Sequence, residues 1–439
     1  MKIKNLLFLA VMSLAAGSLS AQEKELSLQE AVDLALNESD MAKVSEAEVE
    51  TAKNELQVLK NARYPDLELS GRYSYLSSAN VDLQLQTGQQ QEPAEGEPTA
   101  SPEINSLMLG QANLTLPVFS GFKIRNSIEA GKNRYKAAEF TALDDKEQIA
   151  LQIIQNYLNL FTARKSVELM KESLKTAQQR VKDFTAMEQN GLLARNDLLK
   201  AQLQESNVEV SLQQAQKTAD ILEYRLAVSL NLPEDTKIAI SEAALGMLPQ
   251  QQVPQEINRG DLEALKLQKK AAENGIEAAK ADYYPSIALI GGYTALDLEN
   301  ALTVSNAMNV GVGVSYDLGG IFKNKSRVKV AQSKADQLKS SIDAMDDQIK
   351  VQVKNAEQDY ELALKKYEVY EQSVEQAVEN YRIVKDKYDN GLSDTNDLLE
   401  ADVQQLQSKL DLAYAKAGIL QQYYNLLRAE GVLINQFKK

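Results

Sequence analysis

The chain repeats itself, and the repeat limits what it can fold into. Asn190-Gly191-Leu192 followed by Asn196-Asp197-Leu198-Leu199 returns 200 residues later as Asn390-Gly391-Leu392 and Asn396-Asp397-Leu398-Leu399. Met108 and Phe122-Lys123 recur at that offset as Met308 and Phe322-Lys323, whereas Tyr64-Pro65 recurs at 220 as Tyr284-Pro285. The first copy therefore carries about 20 additional residues. They fall in the Gln/Glu/Pro/Gly-rich stretch from Thr87 to Glu103, which has the composition of a loop. Pro233 to Pro254 marks the break between copies. The resulting division is a first repeat over 22–232, a linker over 233–257 and a second repeat over 258–439.

Each copy combines two periodicities. Leu67, Leu69, Gly71, Tyr73 and Tyr75 alternate with Glu68, Ser70, Arg72 and Ser74, the pattern of a strand with one apolar and one polar face. Ile287, Leu289, Gly291 and Tyr293 repeat it, as do Met308, Val310, Val312, Val314 and Tyr316. The spacing predicts β-hairpins over about 66–117 and 286–317, with strands of about 10 residues, enough to cross a bilayer when tilted. Beyond them, neither glycine nor proline occurs from Lys132 to Asn190 or from Ile321 to Asn390. Apolar residues there step by three and four, interrupted only at Asn156: Ile149, Ile153, Leu160, Ala163, Val167 and onward to Phe184, then Ile349, Val353, Ala356, Tyr360, Ala363, Tyr367 and onward to Val384. Such heptads specify long coiled-coil helices. A returning helix follows each Asn-Gly, giving helical hairpins with tips at Gly191 and Gly391, where glycine tolerates the positive φ of a reversal.

The first 21 residues read as a secretory leader. Lys2 and Lys4 precede an apolar run from Leu6 to Ala16 and a small-residue exit at Ser18-Leu19-Ser20-Ala21. That run is too short to span a bilayer, so any membrane crossing must be made by strands. With no cysteine and no histidine, thiolate and imidazole metal sites, Ser–His–Asp catalysis and a cysteine-linked lipid anchor are excluded. A net charge of −14 repels phosphate backbones and argues against nucleic acid as a partner. There is no Gly-Lys-Ser/Thr phosphate loop, so transport powered by this chain itself is not expected. No cofactor is implied.

Four strands cannot close a barrel, and lipid tolerates no open sheet edge. Single-chain barrels need about eight strands, so this protomer is expected to complete its barrel with copies of itself; three copies supply twelve strands. The helical hairpins of the same copies would wall a tunnel.

The residues resemble the TolC family of outer membrane efflux proteins. The resemblance rests on the doubled order of a Tyr-Pro strand start, a small-residue strand exit into a long helix, and glycine followed six residues later by Asp-Leu-Leu-x-Ala. It extends from the opening Leu28-Gln29-Glu30-Ala31 to Phe437. It implies a mainly α fold with β: a homotrimer whose twelve-stranded outer membrane β-barrel is continued by a twelve-helix periplasmic coiled-coil α-barrel. It further implies an exit duct of a tripartite efflux or type I secretion system, embedded in outer membrane lipid. A periplasmic adaptor and an inner-membrane pump would be its partners, and drugs, toxins or proteins its cargo.

Site residues follow from both readings. Asp397 and Glu400 lie three apart on one helical face beyond the second tip; in a trimer they make two acidic rings that attract cations. In the family the aligned acids line the entrance constriction. Asp197 and Tyr388 match positions that hydrogen-bond between hairpins and hold the mouth shut, while Ser393 stands where the best-known member has a gating arginine. The tips, Gly191-Leu192 and Gly391-Leu392, are the expected adaptor contacts. Three alternatives are open. Asp386 to Asp397 has glycine at the sixth and an acid at the twelfth position of a calcium loop, but Tyr388 occupies a ligand position. A periplasmic coiled-coil scaffold outside the lipid would show the same heptads. An enzyme working through carboxylates alone would need two acids facing across a cleft.

Overall fold

The computed structural model describes residues 24–79, 104–240, 257–299 and 301–437. The leader, the Thr87–Glu103 stretch and residues 241–256 of the linker lie outside these. The described elements are β1 (Lys24–Leu26), α1 (Leu28–Glu38), α2 (Asp40–Asn61), β2 (Asp66–Ala79), β3 (Ile104–Ser120), α3 (Lys123–Gln189), α4 (Arg195–Ser229), β4 (Ile238–Ile240), α5 (Gly260–Lys280), β5 (Ser286–Leu298), β6 (Leu302–Ser315), α6 (Leu318–Asp389) and α7 (Thr395–Glu430). They divide into two compact units, one of residues 50–138 and 265–341, the other of 1–49, 139–264 and 342–439.

The first unit holds a four-stranded antiparallel sheet in the order β2-β3-β5-β6. Two hairpins, β2–β3 and β5–β6, are joined edge to edge by β3–β5 pairing. Directly paired residues in an antiparallel sheet share a face, so the register decides whether the four alternating patterns agree. They do: Leu69, Ala112, Tyr293 and Met308 form one row across all four strands, and Leu67, Leu114, Gly291 and Val310 form another. The opposite face carries the row Glu68, Asn113, Gly292 and Asn309. Each hairpin contains a Tyr–Met cross-strand pair, Tyr73 with Met108 and Tyr293 with Met308, so the extra residues of the first copy are absorbed between β2 and β3.

The strands run to 14, 17, 13 and 14 residues, longer than the 10 read from alternation. Ladder hydrogen bonds continue wherever a partner strand is present, and side-chain polarity does not end them. Polar residues such as Ser106, opposite Tyr75, and Asp297, opposite Thr303, therefore lie in the strands beyond the stretches read from alternation.

The second unit is mainly helical and holds the greater part of α3 and of α6. α3 and α6 contain 67 and 72 residues, about 100 Å or more of helix at 1.5 Å per residue. Ser27 opens α1 by accepting the Glu30 N–H at 3.1 Å. The core is wider than a coiled-coil seam, because α1 and the chain end add layers to the hairpins. Leu26, Val32, Ile154, Tyr157, Leu226 and Leu433 are fully enclosed. The Tyr157 hydroxyl donates to the Leu26 carbonyl at 2.9 Å. β1 and β4 pair in parallel, which brings Ile238 of the linker into this core. The linker is therefore partly structural.

Candidate functional site

The two tips close with the same backbone geometry. Gly191 and Gly391 sit at φ 72° and 71°. At the first tip the Gly191 N–H donates to Glu188 O at 2.9 Å and the Leu192 N–H to Met187 O at 2.9 Å. At the second, Gly391 donates to Tyr388 O at 2.9 Å and Leu392 to Lys387 O at 2.8 Å. This is a Schellman closure in both, and it satisfies the last helical carbonyls. Asn190 and Asn390 tighten it with side-chain bonds to Ala186 O and Asp386 O. The turn throws Leu192 and Leu392 outward, 73% and 78% exposed.

The returning helices begin differently. Asp394 accepts from the Asn396 and Asp397 N–H groups at 2.8 and 3.0 Å, a full N-cap. Its counterpart Ala194 makes no side-chain cap. Ser393 donates to Asp397 Oδ2 at 2.7 Å. Ser393 therefore engages one of the expected ring acids. Glu400 is exposed and accepts from Gln404 at 3.2 Å. Asp197 pairs with Lys200 at 3.3 Å. The Tyr388 ring stacks on Phe184 at 5.8 Å, and Arg195 pairs with Glu188 of its own hairpin at 3.5 Å. Asp386 to Asp397 is not a loop. It is the last turn of α6, the glycine turn and the first turn of α7, and Asp386 is occupied by Arg382 at 3.0 Å. That geometry removes the calcium-loop reading.

The two helical hairpins meet near their tips. Phe184, Leu198, Ala201 and Leu398 form a buried cluster, with Val181, Tyr381 and Tyr388 against it. Beside it, Arg180 of α3 bonds Asp402 of α7 at 2.8 Å and the Tyr381 hydroxyl of α6 at 3.2 Å. The paired side chains are 8% and 12% exposed. Burial works against the guanidinium charge, but the bonds to Asp402 and Tyr381 outweigh it and hold Arg180 more basic than usual. Sequence reasoning missed this pair, although a signal was present. Arg180 falls three residues after Ala177 and four before Phe184, on the apolar ladder itself. Glu223, buried between Leu222 and Leu226 and bonded to Arg164 at 2.8 Å, is another such charge on a seam step.

In the sheet unit, one face is apolar and uncovered. Leu69 is 75% and Val310 91% exposed, alongside Leu67, Tyr73, Tyr75, Met308, Val312 and Val314. A contiguous apolar face of this extent marks contact with lipid or with another protein. Among the described residues no helix is long and apolar enough to cross a membrane.

A sheet with an open apolar face, carried on a chain with two long helical hairpins, defines the outer membrane channel class. A sequence model of the outer membrane efflux protein family matches residues 31–232 and 255–432, and the chain belongs to that family. It is 21% identical over 320 residues to the outer membrane efflux protein BepC of Brucella suis biovar 1 (strain 1330), covering 72% of this chain and 70% of the relative. Its fold is similar to that of the Campylobacter jejuni outer membrane channel CmeC (TM-score 0.75, 18% identity, 95% and 91% of the two chains). It is also similar to the outer membrane protein VceC of Vibrio cholerae (TM-score 0.73, 18% identity, 92% and 96%). The protein is an efflux channel of the outer membrane, in a family of channel proteins rather than enzymes. Membership of that family leaves no place for a periplasmic scaffold outside the lipid.

Proposed function

We propose that three copies assemble into one exit duct, each contributing four strands to a twelve-stranded barrel and four long helices to a twelve-helix tunnel. The observation that carries this reading is the pair of open edges, β2 and β6, on a sheet whose apolar face is bare. Each unpaired backbone N–H or C=O in hydrocarbon costs several kcal/mol, and pairing β2 of one copy with β6 of the next removes every such edge. The two repeats, 22–232 and 258–439, make the six hairpins of the ring near equivalents, with 233–257 as the connection.

In this assembly the tips form the inner mouth. Asp397 and Glu400 give two rings of three carboxylates that favour cations at the entrance. Asp197 and Tyr388 hold the mouth closed by bonds to neighbouring hairpins. The exposed Leu192 and Leu392 are the contacts for a periplasmic adaptor, which delivers cargo from an inner-membrane pump. Three measurements test the reading. Purified protein in detergent should run as a trimer that shifts to monomer on heating; a stable monomer refutes the assembly. In planar bilayers under a salt gradient, Asp397→Asn with Glu400→Gln should lower cation preference. An unchanged reversal potential removes the rings. Unchanged opening in both Asp197→Ala and Tyr388→Phe removes the gate.

A further inference from the structure

In the sheet unit, β2 and β5 start and β3 and β6 end on the same side, where Ser286 pairs with both Ser120 and Ser315. The helices that leave from there are basic, although the whole chain carries −14. Residues 123–136 hold five cations and one acid, and residues 318–335 hold five cations and no acid. This placement does nothing for the helices, whose first turns favour acids; neither α3 nor α6 has one there. Internal pairing absorbs few of the charges. Asp282 takes both Lys123 and Arg327 at 3.3 Å, and Lys132 binds Glu129 at 2.7 Å. Among the described residues no carboxylate pairs with Arg63, Arg125, Lys323 or Lys325, and all four are exposed.

The cations adjoin the apolar face of the sheet. Phe119 lies in the row of Ile287 and Val314. Its ring meets Phe122 at 5.4 Å, which in turn meets Tyr284 at 6.5 Å. Phe122 is held at φ 68°, a conformation that a bulky residue rarely adopts, and it is exposed nonetheless. On α6, burial of Asn324 and Val328 turns Leu318, Phe322, Lys325 and Lys329 outward. Along that face apolar residues come first and cations follow after one and two turns. This is the order of a surface that keeps its rings in hydrocarbon and its charges in the headgroup layer.

We propose that this junction binds the phosphate headgroups of anionic phospholipids in the periplasmic leaflet through Arg63, Arg125, Lys323 and Lys325, with Phe122 and Phe322 seated among the acyl chains. This inference rests on the apolar face meeting lipid and the helices being periplasmic; the number of copies does not enter it. Continuity favours lipid over protein as the occupant. One surface passes from apolar strands to aromatic rings to cations, matching hydrocarbon, interface and phosphate in turn. A free phosphate ion accounts for the cations but not for the exposed rings beside them. Arg63 and Arg125 can each fork onto two oxygens of a phosphate, while Lys323 and Lys325 act as point charges. At the opposite end of the same face, the charges among the described residues are the acids Asp297 and Glu299, so the belt belongs to one leaflet.

The test reconstitutes the full-length channel in phosphatidylcholine vesicles carrying a trace of spin-labelled phosphatidylglycerol or spin-labelled phosphatidylcholine. Electron paramagnetic resonance reads the fraction of each label held against the protein. In about 50 mM salt the phosphatidylglycerol label should be retained about three- to tenfold more strongly. In about 1 M salt the preference should fall below about twofold, because charges are then screened beyond about 3 Å. Arg63→Gln with Arg125→Gln, Lys323→Gln and Lys325→Gln should lose the low-salt preference while holding as much lipid in total. Lys350→Gln with Lys354→Gln, Lys365→Gln and Lys385→Gln removes four exposed cations elsewhere on α6 and should keep it. Equal retention of the two labels by the native protein overturns the inference. So does a preference that survives high salt or the junction variant, or one lost equally in the control. Inorganic phosphate at constant ionic strength should leave the preference in place; if it abolishes it, the belt is a site for free phosphate and lipid is overturned as its occupant. If the native protein holds neither label, the lipid-facing reading itself fails, and the inference falls with it.

Discussion

Replacing Gly391 by alanine isolates the cost of the turn from the cost of packing. A Cβ built on Gly391 has no heavy atom within 4 Å, so nothing needs to move to admit it. What remains is the backbone: at φ 71° an alanine pays about 1–2 kcal/mol relative to glycine. At Gly431, where φ is 77°, the same methyl group would run into the Asn258 carbonyl oxygen, and backbone must shift as well. Hydrogen exchange by mass spectrometry in detergent reads the first cost locally, through the Gly391 and Leu392 amides that close the turn. Exchange there should quicken about five- to thirtyfold in Gly391→Ala. It should quicken less in Gly391→Asn, since asparagine visits this region more readily. Protection in the core around Tyr157 should not change. Gly431→Ala should lower the thermal midpoint of the core itself. Equal protection in native protein and Gly391→Ala, or equal global losses at the two positions, would refute the separation of strain from clash.

Ala194→Asp should give the first returning helix the cap that Asp394 gives the second, adding about 0.5–2 kcal/mol locally and slowing exchange at the Asn196 and Asp197 amides. Tyr157→Phe removes the donor to the buried Leu26 carbonyl and should cost about 1–3 kcal/mol in denaturant unfolding, with the β1–β4 pair loosening first. Burial pushes the Glu147 carboxyl up, against the Ile434 and Leu433 N–H donors that draw it down. A carboxylate raised in the fold contributes stability that is complete below its unfolded value and is lost as pH rises through the folded one. Mild acidification from neutrality should therefore raise the thermal midpoint through Glu147, and Glu147→Gln should flatten that rise. Asp261, lowered despite burial by its bonds to Arg259, works in the opposite sense, so the comparison must be made variant against native. Leu192→Glu with Leu392→Glu should abolish efflux while leaving trimers and conductance intact; retained efflux would place the adaptor contact elsewhere.

Much of this architecture is written in periods. The alternation from Leu67 to Tyr73 and from Met308 to Val314 needs only a partner of matching parity, and the register supplies one: Tyr73 faces Met108, Met308 faces Tyr293 and Val314 faces Ile287. The turns at Gly191 and Gly391 are legible because few residues other than glycine accept their φ. β1 and β4 were not, because three residues show no period; Lys24–Leu26 follows the leader, and Ile238–Ile240 sits in a proline-marked linker. Their pairing depends on Tyr157 and the enclosed Ile238, residues far apart in sequence. The buried charges were hidden for a different reason. On a long helix a charged side chain normally faces water, so Arg180 and Glu223 read as solvated until their place on the apolar ladder is counted.

The two copies agree in the turns and in the small apolar cluster behind them, and differ at several flanking positions. Asn-Gly-Leu is retained at both tips, because each turn must close the same helical end with the same hydrogen bonds, and Leu198 and Leu398 are both buried where the hairpins meet. On the flanks, Arg180 faces a partner set that Asn380 lacks, Tyr388 is replaced by Glu188, and Asp394 by Ala194. Backbone atoms make the turn bonds and side chains make the flank contacts, so substitutions at the flanks leave the Asn-Gly turns unchanged.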